Sequence, residues 1–152
     1  MQISIYLLNF DLIKNLNNTI MSTKVIVGGV ISAIVMFLLG WLIYGVILTD
    51  IFPMDGEMTG QGMLWIFLSN LFWGLLLAYV LGTWAGVSTP MGGAKAAAII
   101  GLLAGLSVDA MGMAMNNMDM KQMAFDVIAT VVIAAVAGAL IGWYNGRNTA
   151  AA

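Results

Sequence analysis

No cysteine and no histidine occur in the 152 residues. Their absence removes disulfides, thiolate nucleophiles, Ser-His and Cys-His catalysis and the usual zinc sites in one step. Charge is nearly absent too. Five basic and seven acidic residues make up 8% of the chain, against roughly 25% in a soluble domain. That is too little to wet the surface of a globule, and too little positive charge to neutralise a run of phosphates. A water-soluble fold and nucleic-acid binding are both excluded as expectations.

What the chain has instead is apolar length. Hydrophobic residues make up 62% of it, and the mean hydropathy is +1.01. A bilayer core about 30 Å thick takes about 20 residues of helix. Four segments meet that requirement: 25–48, 63–86, 96–115 and 123–144. The first two carry no charge, and the others carry one acid each, Asp109 and Asp126. The connections are short. Residues 49–61 hold Pro53 and three acids, 87–95 hold Pro90 and the Gly92-Gly93 pair and read as a linker, and 116–122 read as a tight hairpin. The expected fold is all-α, a four-transmembrane-helix bundle over 21–146 with a short tail at 147–152.

The first apolar stretch is longer than the core of a signal peptide and is followed by no small-x-small cleavage site, so it reads as retained. Met21-Ser22-Thr23-Lys24 looks like a second translation start. Residues 1–20 are then either outside the translated chain or an interfacial segment. Short loops rich in Lys and Arg stay in the cytoplasm. Lys24, Lys95 and Arg147 fall on one side, with Lys14 if the extension is real, and only Lys121 on the other. Both termini are therefore expected on the cytoplasmic side, with Asp50, Asp55, Glu57 and Asp119 outside.

Each span carries small residues at four-residue spacing, the pattern by which helices approach one another in lipid. The rows are Gly28, Ser32, Met36, Gly40, Tyr44; Asn70, Gly74, Ala78, Gly82, Gly86; Ala97, Gly101, Gly105, Asp109; and Asp126, Thr130, Ala134, Gly138, Gly142, Gly146. Helix packing is thus assigned to Gly40, Gly74, Gly82, Gly101, Gly105, Gly138 and Gly142. Every row includes a polar side chain, and all four such residues fall toward the outer half of the bilayer. A polar cluster of Tyr44, Asn70, Asp109 and Asp126 inside the bundle is the expectation. An acid at mid-span costs about 2.5 to 3.5 kcal/mol on insertion scales, so such a pair could hold a proton or a small cation. On the plainer alternative, Asp126 reaches the interface near Lys121 and Asp109 hydrogen-bonds a neighbouring helix.

Six of the 13 methionines crowd into 111–123. Thioethers select soft Cu(I), which makes Met111, Met113, Met115 and Met118 weak copper candidates. Methionine equally fills irregular apolar space, and no metal or other cofactor is assigned. A shift of 64 positions brings Gly28-Gly29 onto Gly92-Gly93 and the run 74–82 onto 138–146. A duplicated helix pair is one reading of that match.

The runs 37–45 (FLLGWLIYG), 70–79 (NLFWGLLLAY) and 98–109 (AIIGLLAGLSVD) resemble an uncharacterised family of small bacterial four-helix integral membrane proteins, a domain of unknown function. The likeness spans about 24–146. It implies the fold and marks the Gly-Trp-x-x-Tyr-Gly element around Tyr44 and the Leu-Ser-x-Asp element at Asp109 as family features, without an activity for either. The methionine-dense turn is not among them. Three functional classes stay open. The first is a non-enzymatic structural or interaction protein that self-associates or supports a membrane complex, and the second a small proton or cation carrier or channel using the Asp pair. The third, a lipid enzyme, shows no activated nucleophile. The expected partners are the lipid bilayer and further copies or another membrane protein.

Overall fold

A computed structural model describes residues 22–53, 56 and 58–149; the 1–20 extension lies outside these. Among the described residues, four helices follow one another. Helix α1 covers Thr23–Leu42 and continues as a π-helical turn, Ile43–Ile47. Helix α2 covers Gly60–Tyr79 and widens likewise into Val80–Trp84. Helix α3 covers Pro90–Ala114 and α4 Met120–Thr149. All four are long and apolar enough to cross a membrane, over Thr23–Ile47, Gly60–Trp84, Pro90–Ala114 and Met120–Arg147. The chain is a multi-pass membrane protein built as a four-helix bundle.

Each helix start is marked chemically. Ser22, Thr59 and Thr89 accept hydrogen bonds from the backbone N–H three residues on, at 3.4, 3.1 and 3.2 Å, which satisfies donors that the helix leaves open. Asp119 and Gln122 bond reciprocally at 2.8 and 3.0 Å before α4, a capping box. The Gln122 amide also donates to the Ile51 carbonyl at 3.1 Å, tying the two loops at that end together. Gly86 (φ 59°) and Asn116 (φ 56°) adopt the left-handed conformation that turns the chain out of α2 and α3.

The start of α3 corrects the linker reading of 87–95. Pro90 and the Gly92-Gly93 pair belong to the first turns of the helix. Proline suits the first helical position, where its missing N–H is not needed. Gly93 is required for a different reason: a Cβ there would collide with the Gly138 carbonyl.

Burial is inverted relative to a soluble bundle. Val108 and Phe72 are 70% and 67% exposed, whereas Ala33, Ala97 and Ala137 are fully buried. Many large side chains point outward, toward lipid, while Leu77, Leu81 and Ile141 are buried among the small residues that let backbones meet, so packing rather than water exclusion holds the helices together. Helices α1 and α2 form one antiparallel pair, and α3 and α4 a second, more extensive one. The pairs join mainly through α1 and α4. There the buried Ser32 hydroxyl donates to the Ala137 carbonyl at 3.4 Å, and Gly28 admits the Tyr144 ring. Val25, Met36, Ile133 and Ile141 complete that seam.

The shift of 64 positions superimposes contacts as well as letters. In the first pair, Gly74 meets Gly29 and Ala33; in the second, Gly138 meets Gly93 and Ala97. Both crossings use a glycine against a glycine and an alanine one turn further.

Candidate functional site

Along α3, Gly93, Ala97, Gly101, Gly105 and Asp109 are all buried. Opposite them on α4, Gly142 and Gly138 take Gly93, Ala134 and Thr130 take Gly101, and Thr130 alone takes Gly105. The next position on each row is an acid. Asp109 is 2% exposed and interacts with the carboxyl group of Asp126. One Asp109 oxygen, Oδ2, is buried without any hydrogen-bond partner.

Asp126 is better supported. Its Oδ1 accepts a 2.8 Å bond from the Tyr44 hydroxyl and its Oδ2 a 3.4 Å bond from the Thr130 hydroxyl. Tyr44 reaches it from the π-helical turn of α1. Such turns are uncommon and cluster at functional sites, because one extra residue per turn re-aims the side chains around it. The Tyr44 ring is held edge-on to Phe52, with centroids 5.4 Å apart.

Next to this network lies a cavity of about 400 Å³ to which all four helices contribute. Phe37, Trp41, Tyr44, Phe52 and Trp73 give it aromatic walls, and Met36, Met58 and Met63 add thioethers. Its polar edge is Tyr44, Thr130 and Asn70. Two of these three are the residues that donate to Asp126.

The structure therefore brings Tyr44, Asp109 and Asp126 together and sets Asn70 apart. The Asn70 amide donates back along its own helix to the Ile66 carbonyl at 2.8 Å, so this residue stands on the cavity wall. Gly40 corrects a packing assignment. A Cβ on it would meet nothing within 4 Å, and it lines the cavity rather than a helix contact. Successive residues of a four-residue row drift about 40° around the helix, and three steps from Gly28 carry Gly40 out of the seam. Gly82 faces Asn145 and Val25 at ordinary contact distance. Met111 and Met115 are exposed, Met113 and Met118 half-buried, and Met118 packs on Gly112. Among the described residues, no group of three or more Asp or Glu stands together as a metal site.

Thr130 and the aromatic walls were not among the expected site residues. Thr130 is visible in the α4 row one turn from Asp126; Phe37 and Trp41 stand in the sequence as large aromatics of an apolar span.

No protein-family model, no curated protein and no solved structure matches the chain. Tyr44, from the π-helical turn of α1, and Asp109, from α3, interact at the site. The four spans contain no lysine and no arginine between residues 25–48, 63–86, 96–115 and 123–144. Two carboxyl groups facing each other in a low dielectric without a basic neighbour need a positive charge from elsewhere, either a shared proton or a bound cation.

Proposed function

We propose that this chain is a non-enzymatic membrane protein that takes up and releases a proton or small cation at Asp109 and Asp126, with Tyr44 as the hydrogen-bonding partner. The observation that carries the reading is the unpartnered, fully buried carboxyl oxygen of Asp109 facing a second acid. Burying an acid without a partner destabilises a fold, and an acid that serves packing alone ordinarily spends its oxygens on neighbouring donors.

The distribution of Lys and Arg argues for both termini in the cytoplasm, which puts the acid pair in the outer half of a bacterial inner membrane. Four short helices enclose little volume, so a path across the membrane belongs to an assembly of copies. The glycine rows of α3 and α4 are already filled within the chain. Contacts between copies therefore fall on the exposed large side chains.

Proton and monovalent-cation flux in liposomes holding the purified chain tests this. Asp109→Asn with Asp126→Asn is expected to abolish a flux that the parent chain supports. Equal flux from both, or none from either, rejects the carrier reading and leaves a structural role in a membrane assembly.

A further inference from the structure

We propose that the aromatic cavity beside Tyr44 is a binding site for an organic ammonium with an apolar body. The inference rests on the acid pair acting as a charge site and names the class of cation that it serves.

Three observations converge on that class. The volume, about 400 Å³, lies within the roughly 300 to 1,000 Å³ of small-molecule sites. The walls present Trp41, Trp73, Phe37 and Phe52, and aromatic faces attract cations whose substituents are themselves apolar. The polar edge of the cavity includes Tyr44 and Thr130, and both donate to Asp126, which interacts in turn with the buried Asp109. A lipid acyl chain would satisfy the walls and leave the acids unanswered. A metal ion would answer the acids and leave an empty apolar chamber. An ammonium with aromatic or alkyl groups satisfies both.

The chamber is built rather than incidental. Gly40 stands on its wall, and a Cβ there would enter open space. The ammonium enters as one positive charge, and the proton held between the two carboxyl groups leaves to solvent. Charge balances, and no bond other than that to the proton is broken.

The test uses the full chain in detergent micelles with benzyltrimethylammonium as the probe. Binding is read by quenching of the intrinsic tryptophan fluorescence and by proton release in weak buffer with a pH dye. The parent chain is expected to show saturable quenching with proton release. Gly40→Leu, which fills the chamber, and Asp109→Asn with Asp126→Asn, which removes its charge, should each weaken binding at least about tenfold. Retained binding in the Asp variant overturns the proposal and marks the chamber as a slot for neutral lipid. Retained binding in Gly40→Leu, or no saturable binding by the parent, overturns it as well. Should the Asp variant fail to fold, Gly40→Leu and proton release decide alone. Acid-dependent proton flux without ammonium binding sinks this inference and spares the reading before it; acid-dependent binding without flux does the reverse.

Discussion

The two helix pairs share a crossing and then part company. Each is pinned by a glycine against a glycine and an alanine, Gly74 on Gly29 and Ala33, Gly138 on Gly93 and Ala97. One turn further toward the acid pair, α3 carries Gly101 and Gly105, and its contact with α4 continues through Ala134 and Thr130. At the positions 64 residues earlier stand Phe37 and Trp41. Backbones cannot close over those rings. Phe37 turns edge-on to Phe67 at 5.7 Å, and the first pair opens into the cavity while the second stays shut down to its two acids. One architecture thus yields a rigid half that holds charge and an open half that holds space. Phe37 and Trp41 against Gly101 and Gly105 make the difference.

Substitutions probe that contrast, read as unfolding of the chain in mixed micelles titrated with denaturing detergent. Gly138→Leu should cost about 3 kcal/mol or more, because overpacking here is met by backbone rather than by mobile side chains. Gly40→Ala, in the open half, should change stability by less than about 0.5 kcal/mol. Equal losses at the two sites would erase the distinction. Asp109→Asn should raise stability by about 1 kcal/mol, since an amide can donate to Asp126 where two carboxyl groups compete. A loss instead would show that the acid pair fastens the closed half. Tyr44→Phe removes the bond that links the halves at this level and should cost under about 1 kcal/mol, the range of hydrogen bonds within membranes. Ser32→Ala, whose bond to Ala137 is 3.4 Å long, should cost only a few tenths of a kcal/mol, about 0.3.

Much of this was legible in the residues. Span number, the inward position of Asp109 and the glycine rows of α3 and α4 follow from apolar length and from four-residue spacing, because little else in the chain competes with those signals. Asp109 and Asp126 lie at similar distances from the middle of the 116–122 hairpin, so antiparallel helices bring them level. The cavity was not legible. Phe37 and Trp41 line it, and a large aromatic in an apolar span looks the same whether it faces lipid or a chamber. Gly40 was misread because a row of small residues names a face only over two steps or so before rotation carries it elsewhere. Pro90 signals both a break and a first helical turn, and only the contact between Gly93 and Gly138 decides between them.

The inverted burial has a consequence for how the chain can vary. Its lipid-facing positions, such as Phe72, Val108 and Leu103, ask only for greasiness, so exchange among leucine, isoleucine and phenylalanine there should be nearly free. The axis of the bundle tolerates almost nothing, because at Gly93, Gly138 and Gly142 a single added methyl has no room. Tolerance in this protein is thus expected at its periphery, and constraint at the residues that have no side chain at all.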